Sequence, residues 1–258
     1  MRAIWSGALS FGLVNIPIKL YSATSGKTLS FDMLHKKDLS PIRYARVCRV
    51  DGKEIPYEDI VKGYEYQKGD YVVLTDEDFK KANVKKTKAI EIQDFVKENE
   101  IDPIYFEKPY YLEPEKGAAK AYVLLREALK KSKKIGIAKF VLRNREHLAV
   151  IKPFGNVLLL NQMRYQDEIR RPDDLNLPET KEAGKREIEI ALALIDQLTS
   201  HFKPEEYHDT YTEELERVIK AKAKGKPIKA KGKEPQPTEV TDLMAMLRAS
   251  LEKEKAKA

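Results

Sequence analysis

Residues 134–163 read KIGIAKFVLRNREHLAVIKPFGNVLLLNQM, and this stretch decides the fold. It contains three apolar runs, at 134–143, 146–154 and 156–163, joined by the short turns Asn144-Arg145 and Gly155-Asn156. Apolar runs separated by turns this short are typical of strands that pair with their neighbours in antiparallel fashion. The stretch therefore predicts three consecutive antiparallel strands.

Further strands are predicted from aromatic and β-branched composition with turn punctuation, at residues 3–22, 42–50, 71–75, 89–96 and 108–114. Pro17 lacks the amide proton that a strand ladder uses, so it predicts an edge strand or a bulge. The run 42–50 leads into Asp51-Gly52, a dipeptide typical of hairpin turns. Residues 71–75, YVVLT, predict a short buried strand.

One amphipathic helix is predicted among these strands, at residues 118–131. Tyr122, Leu125 and Leu129 share one face of it at three- and four-residue spacing. Many short strands with a single packed helix are typical of a barrel or a sandwich. A closed barrel is favoured because it leaves fewer strand edges exposed. The predicted fold class is α+β, with a mainly antiparallel β-barrel core.

The pattern becomes helical after residue 164. An amphipathic helix is predicted at 185–202, Pro204 ends it, and a second helix follows at 205–219. The apolar faces of these helices need a packing partner, and a second copy of the chain would supply one. The residues expected at such a dimer contact are Ile188, Leu192, Ile195, Tyr207 and Tyr211.

Beyond these helices the chain carries a lysine tract and a last short helix, TEVTDLMAMLRASLE, at 238–252. That helix is too short to span a bilayer, and its acidic residues Glu239 and Asp242 disfavour a membrane surface. A narrow apolar stripe of this kind is suited to the groove of a partner protein. The residues expected to contact the partner are Val240, Leu243, Met244, Leu247, Arg248 and Leu251.

These patterns divide the chain into four parts. The barrel core is expected at 1–180, a helical arm at 181–220, a flexible lysine-rich linker at 221–237, and the short helix with its tail at 238–258.

The charge balance favours an anionic partner. The chain has 258 residues with 48 Lys+Arg against 41 Asp+Glu, a formal charge of +7. Nucleic acid or an anionic membrane fits such an excess, although a slight lysine surplus is also common on ordinary protein surfaces. The single cysteine, Cys48, excludes a disulfide framework within one chain and indicates a reducing compartment. With no signal peptide and no apolar run of spanning length, we expect a soluble, cytoplasmic protein.

Catalytic motifs are missing from the sequence. Residues 25–28, SGKT, resemble the end of a phosphate-binding loop, but Tyr21 stands where that loop requires glycine. Cys48 has no cysteine partner and the four histidines are scattered, so no metal site is expected. The acidic run 76–78 either holds a metal, as in a nuclease, or caps a helix beginning after Thr75, and the cap is favoured. We predict a binding protein with no catalytic residue, no cofactor and no metal.

Basic residues recur in clusters along the strands and loops. No helix-turn-helix or zinc finger is present to read bases, so binding to DNA is expected to be independent of sequence. The lysine tract carries no acid, and such a block repels itself, stays disordered and adds phosphate contacts. Its lysines are Lys220, Lys222, Lys224, Lys226, Lys229, Lys231 and Lys233.

The chain resembles bacterial Ku, the DNA-end-binding protein of non-homologous end joining. The resemblance is carried, in order along nearly the whole chain, by residues 5–24, 58–79, 100–112, 120–129, 137–153, 163–170, 191–198 and 204–211. It implies a barrel core of the Ku or SPOC type, a homodimer, and a ring through which double-stranded DNA threads from an end. It also implies that the chain has no catalytic activity and is associated with the nucleoid.

The resemblance also implies roles for segments. Residues of about 22–66 would form an arch around the DNA, the helical arm would embrace the second subunit, and the C-terminal segment would recruit an ATP-dependent DNA ligase. Some family members have a Cys-x-x-Cys pair where this chain has Cys48-Arg49-Val50-Asp51, which makes a metal role more doubtful. The residues expected near the DNA are Lys27, Lys36, Lys37, Arg43, Arg46 and Arg49. The alternatives are a generic basic β-barrel that binds nucleic acid and a metal-dependent nuclease.

Overall fold

The computed structural model describes residues 1–26, 28–82, 88–143, 145–178, 184–225, 249–250 and 252. The chain divides into two compact units, Met1–Arg171 and Pro172–Ala258. The first unit contains all the strands, and the second contains two of the four helices found among the described residues.

Seven strands of the first unit close into a barrel in the order β1-β2-β6-β9-β8-β7-β5. All neighbours pair in antiparallel fashion except β1 and β5, which are parallel and close the barrel. The predicted barrel and the three antiparallel strands of 134–163 are confirmed. The barrel strands are β1 Trp5–Phe11, β2 Val14–Ser22, β5 Ala89–Lys97, β6 Phe106–Pro114, β7 Lys134–Leu142, β8 Arg145–Phe154 and β9 Val157–Met163.

The barrel interior is filled by alternate residues of its strands. Leu9, Ile18, Phe140 and Leu160 belong to one buried apolar cluster contributed by four strands. The intervening residues point outward, and part of that outer face forms a second cluster centred on Val150. Because successive side chains point to opposite faces of a strand, this division fixes the register of every strand whose inner face is buried.

Helix α2, Ala119–Ser132, packs against one end of the barrel interior. The buried residues Tyr122, Leu125 and Leu129 are the three that the sequence placed on one face. The helix follows the end of β6 and precedes the start of β7, so it lies at the end of the barrel where those strands stop and start. The other end, which we call the barrel mouth, is where β2, β7 and β9 finish.

The Tyr122 hydroxyl joins α2 to two barrel strands. It donates to the Leu112 carbonyl at 2.6 Å and accepts from the Leu158 amide at 2.6 Å. Leu112 and Leu158 form the last register pair of β6 and β9, so the hydroxyl bridges these strands where their ladder ends. Burial raises the pKa of this phenol above its ordinary value.

Replacing Tyr122 by Phe removes both hydrogen bonds and keeps the ring. We expect Tyr122→Phe to lower the free energy of unfolding by about 1–3 kcal/mol, because a buried amide and a buried carbonyl lose a partner. Urea unfolding followed by circular dichroism measures the change. Tyr111→Phe is the matched control, since the Tyr111 hydroxyl makes no hydrogen bond to another described residue. An unchanged midpoint for Tyr122→Phe would contradict the bridging role.

Pro17 lies within a paired strand, so the prediction of an edge or a bulge is wrong. Its register partner in β1 is Ala8, whose amide donates to Lys88 and therefore points toward β5. The Pro17 carbonyl accepts from Glu115, just beyond the end of β6. The Pro17 nitrogen faces Glu115, one residue beyond the end of β6, so the proline removes at most one hydrogen bond at the end of that ladder.

A long excursion, residues 23–88, leaves the barrel mouth after β2 and returns to it before β5. It contains a two-stranded sheet of β3, Lys62–Gln67, and β4, Asp70–Leu74, followed by helix α1, Asp76–Ala82. Among the described residues of 24–82, none whose burial is defined is fully buried. The described part of the excursion therefore contains no core of its own.

Two predictions within the excursion are wrong. Residues 42–50 form no strand and contribute one isolated bridge, between Val47 and Glu54. Residues 71–74 do form a strand, but Tyr71, Val72 and Val73 are exposed instead of buried. In both segments the amino-acid composition favours a strand. No other described part of the excursion packs over either segment to bury its side chains.

The second unit carries α3, Lys185–Leu198, and α4, Thr210–Ala223. Asp209 caps α4 by accepting a hydrogen bond from the Thr212 amide at 3.0 Å. The predicted helix at 205–219 therefore begins later and ends later than its apolar pattern indicated. Neither helix has a buried residue.

Candidate nucleic-acid interface

Lys36 and Lys37 lie at the tip of a compact loop in the excursion. The Ile42 amide donates to the Met33 carbonyl at 3.1 Å, and the His35 amide donates to the Ser40 carbonyl at 2.8 Å. Asp38 braces the tip, because its carboxylate accepts from the Ser40 hydroxyl at 2.7 Å. That bond is the main cause that lowers the pKa of Asp38, so the brace is charged at neutral pH.

A second loop follows at once and carries Arg46 at its base and Arg49 at its tip. The Ile55 amide donates to the Arg46 carbonyl at 2.7 Å, and the Cys48 amide donates to the Lys53 carbonyl at 2.8 Å. Gly52 closes the turn with a φ of 72°, a conformation that disfavours other residues. The predicted Asp51-Gly52 turn is therefore present, without regular strands beside it.

Asp51 stabilises this second turn from within. Its carboxylate accepts from the Lys53 amide at 3.2 Å, and this bond, followed by one from the Cys48 thiol, lowers the pKa of Asp51. Cys48 is a free thiol and is half-buried. The place of the second cysteine in Cys-x-x-Cys is thus taken by a carboxylate that hydrogen-bonds the first.

The cations of the two loops are exposed and only weakly engaged. Arg43 pairs with Glu54 at 3.4 Å, and the Arg46 guanidinium lies 5.0 Å from the centre of the Tyr57 ring. Exposed contacts of these two kinds contribute about 0–1 kcal/mol to stability. They orient the Arg43 and Arg46 side chains and leave both able to bind another group. The loops present five cations for contact with phosphate: Lys36, Lys37, Arg43, Arg46 and Arg49.

The remaining predicted DNA contacts are divided between the two parts of the chain. Lys220 and Lys222 lie in α4, where Lys220 pairs with Glu216 at 3.0 Å, and Lys224 follows the helix as its C-cap. These three lysines belong to the second unit, whereas the loop cations belong to the first. Lys27, Lys226, Lys229, Lys231 and Lys233 lie outside the described residues.

The acidic run after Thr75 caps α1, as favoured. The Asp78 carboxylate accepts from the Thr75 amide at 2.9 Å and from the Thr75 hydroxyl at 2.7 Å, and the hydroxyl accepts from the Asp78 amide at 3.3 Å. These bonds lower the pKa of Asp78. Within the described ranges, no cluster of three or more His, Cys, Asp or Glu side chains is placed to hold a metal ion.

The barrel mouth carries polar residues that the sequence did not single out. Two cavities of about 320 Å³ and about 380 Å³ lie there, and both are lined by Glu107, Arg145, His147 and Gln162. Gln162 is only 7% exposed and donates to Glu107 at 2.8 Å. The sequence feature that could have identified this site is Arg143-Asn144-Arg145. Arg143 directly follows the end of β7, and Arg145 is the first residue of β8.

Ion pairs organise one side of this mouth. Arg145 donates to Glu168 at 2.6 Å, and the other oxygen of Glu168 accepts from the Tyr165 amide at 2.8 Å. The Tyr165 amide, and next the guanidinium, lower the pKa of Glu168. Arg164 donates to the Phe106 carbonyl at 2.9 Å and so ties the end of β9 to the start of β6.

The predicted dimer residues are all exposed in the single chain. Ile188, Leu192 and Ile195 lie on α3, and the exposed fraction of Ile195 is 59%. Tyr207 precedes α4 and Tyr211 lies at its start, where Tyr211 is 74% exposed. The ring of Tyr207 contacts Phe202 with centroids 5.5 Å apart. The arm thus presents apolar surface that the second unit itself does not bury.

The predicted ligase-binding residues, Val240, Leu243, Met244, Leu247, Arg248 and Leu251, lie outside the described residues. In the part of the chain that is described, no helix is long and apolar enough to cross a membrane.

Known proteins match this chain in sequence over nearly its whole length. Residues 10–190 match the family model described as the Ku70/Ku80 beta-barrel domain. The Non-homologous end joining protein Ku of Opitutus terrae is 48% identical over 97% of this chain and 91% of its own length. The protein of the same name from Bacillus subtilis is 43% identical over 98% of this chain and 82% of its own length.

Among solved structures, the SPOC domain of human PHD-finger protein 3 matches with a TM-score of 0.31 and 13% identity. The match covers 66% of this chain and all of that domain.

Proposed function

The chain belongs to the Ku family, and we propose from this premise that it binds the ends of double-stranded DNA, independently of sequence, in non-homologous end joining. The observation that carries the proposal is the excursion 23–88, a long exposed segment with cationic loops rooted in a closed barrel. A segment whose described residues form no core of their own is suited to lie against another molecule, and its cations suit a polyanion.

The loop cations support phosphate contact more than base reading. Lys and Arg on irregular loops neutralise phosphates and release counterions, which gives affinity without sequence preference. Base reading calls for side chains held on an element that enters a groove, and the described excursion offers no helix longer than the seven residues of α1. The proposed preference for ends therefore arises from threading, in which an arch encircles the duplex.

Encirclement requires two copies in this proposal. Each chain supplies one arch, and the exposed apolar residues of α3 and α4 supply a surface that a second copy would cover. Two-fold dimers place the same patch of both subunits at the interface, so a single amphipathic arm serves both. The dimer contact is proposed at Ile188, Leu192, Ile195, Tyr207 and Tyr211.

The proposal includes no reaction catalysed by the chain itself. Its output is recruitment and stimulation of an ATP-dependent DNA ligase through residues 238–258, linked to the arm by the lysine-rich segment 221–237. Tethering raises the effective concentration of the ligase at the bound end. A generic basic barrel that binds any nucleic acid is the second candidate, and the salt-dependence test that follows separates the two.

Replacing the five cations of the two loops by Gln tests the interface. We expect the variant with Gln at Lys36, Lys37, Arg43, Arg46 and Arg49 to bind short linear duplexes more weakly. The slope of log affinity against log salt is expected to fall by about 0.9 for each phosphate that the protein no longer neutralises. Fluorescence anisotropy across a salt series measures both quantities.

The matched control removes five exposed lysines at the opposite end of the barrel: Lys116, Lys120, Lys131, Lys133 and Lys134. It makes the same change in net charge away from the loops, so its salt slope should stay close to that of the wild type. An equal fall in affinity for the two variants would contradict a localised interface and favour the generic basic barrel.

A further inference from the structure

The larger cavity at the barrel mouth, of about 380 Å³, has the build of a ligand site. Pockets for small ligands occur in the mouths of β-barrels and start at about 300 Å³, which is the scale of a single nucleotide. Two of its lining residues, Tyr110 and Gln162, are more than nine-tenths buried, so its floor is fixed by the barrel. The excursion starts beside this cavity, since Ser22 also lines it.

The charge of this cavity favours an anion. Its lining includes three cations, Lys108, Arg143 and Arg145, and one carboxylate, Glu107. Glu107 is engaged by Gln162 at 2.8 Å, and Arg145 is paired with Glu168 at 2.6 Å. Arg143 lies close enough to Tyr110 for its charge to oppose the rise that burial causes in the pKa of that phenol. The Lys108 ammonium lies 5.7 Å from the centre of the Tyr110 ring. Arg143 and Lys108 are therefore the two cations of this lining that lie near the buried Tyr110.

The backbone at Arg143 gives an independent indication. Leu142 pairs with Arg145 across the turn, which leaves a two-residue hairpin loop that begins with Arg143 at a φ of 53°. Hairpin loops of this length favour Asn, Asp or Gly at that position, because a larger side chain is strained at positive φ. Asn, Asp or Gly would adopt this backbone conformation with less strain than Arg143 does. The arginine at this position therefore indicates that its side chain is retained for a function.

We propose that the barrel mouth is a subsite for the phosphate of a single nucleotide, with Arg143 and Lys108 at the phosphate. The apolar wall of Ile4 and Leu142 then lies against the sugar and base. Where the nucleotide is the terminus of a DNA strand, the subsite rests on the proposed function. Where it is a free nucleotide, the subsite stands without that function.

The test uses the full-length chain and deoxyadenosine monophosphate as the probe. Arg143→Asn removes the cation and relieves the positive φ. We expect binding of the probe, measured by isothermal titration calorimetry, to weaken about tenfold, as for loss of one charge-assisted hydrogen bond. The Tm should stay the same or rise, which separates loss of the site from loss of the fold.

Lys133→Asn is the matched control. Lys133 also has a φ of 53°, but it caps the end of α2 at the opposite end of the barrel. The substitution changes charge and backbone strain in the same way, and it should leave binding of the probe unchanged. The subsite is overturned if the wild-type chain does not bind the probe, or if the two variants lose affinity equally.

A second measurement identifies the source of the phosphate. Duplexes with 5′-phosphate and with 5′-hydroxyl ends are compared on the wild type and on Arg143→Asn. A preference for 5′-phosphate that the variant loses assigns the subsite to the strand terminus. Binding of the mononucleotide without such a preference assigns it to a free nucleotide. If the mononucleotide binds but no linear duplex does, the subsite stands and the proposed function fails.

Discussion

Linear double-stranded DNA is expected to compete for the protein at least about 100-fold better than a covalently closed relaxed circle of the same sequence. This ratio is a lower bound, since specific complexes of DNA-binding proteins are typically about 10³–10⁷-fold tighter than non-specific ones. The reason is topological, because the ring proposed above, with the excursion 23–88 as its arch, would admit a duplex only where the duplex has an end. Phosphate contacts are alike on both forms and supply no preference by themselves.

Competition against a short labelled duplex at moderate salt measures this ratio. A nicked circle is the control, since it carries a strand break and no double-strand end, and it should compete as weakly as the closed circle. Cutting either circle once should restore strong competition. Equal competition by the linear and the closed forms would exclude threading and leave a surface-binding barrel.

Removal of residues 238–258 is expected to abolish stimulation of the cognate ATP-dependent ligase while leaving DNA-end binding largely intact. The expectation rests on the sequence of this segment, whose stripe of Val240, Leu243, Leu247 and Leu251 follows a lysine-rich linker. An apolar stripe docked in a groove concentrates its affinity in a few anchors, so its loss removes most of the interaction. Ligation of linear plasmid, with and without the truncated chain, measures the effect.

Point variants sharpen this experiment. Leu243→Ser with Leu247→Ser is expected to raise the concentration needed for half-maximal stimulation at least about tenfold, through loss of two apolar anchors. Ala245→Ser with Ala249→Ser has the same spacing off the stripe and should behave as the wild type. Full stimulation by the truncated chain would show that the ligase is recruited elsewhere.

The barrel could be predicted because its signals are local. The strands of 134–163 are joined by tight turns, so sequence neighbours are also neighbours in space. Tyr122, Leu125 and Leu129 share a helical face whatever they pack against, and the Thr75 and Asp78 cap needs only three residues of spacing. Periodicity and capping act within one element, which is why these predictions hold.

The exposure of the excursion and the grouping of residues at the barrel mouth could not be predicted, because both depend on contacts between segments that are distant in sequence. Tyr71 and Val73 have the composition of a buried strand, yet burial depends on a covering layer that comes from elsewhere in the chain or from a partner. Lys108, Arg143 and Gln162 meet only because β6 begins at the mouth where β7 and β9 end. Strand order is set by long-range pairing, which composition and spacing do not reveal.

The strand order has a consequence for biosynthesis. β9 is the last strand of the barrel to leave the ribosome, and it alone joins β6 to β8. Until residues 157–163 emerge, the barrel stays open, and β6 and β8 each lack a neighbour. A stalled nascent chain therefore carries unpaired edges, which are a template for aggregation. The arm follows β9 in the chain, so every strand that closes the barrel has been synthesised before the apolar helices of the arm.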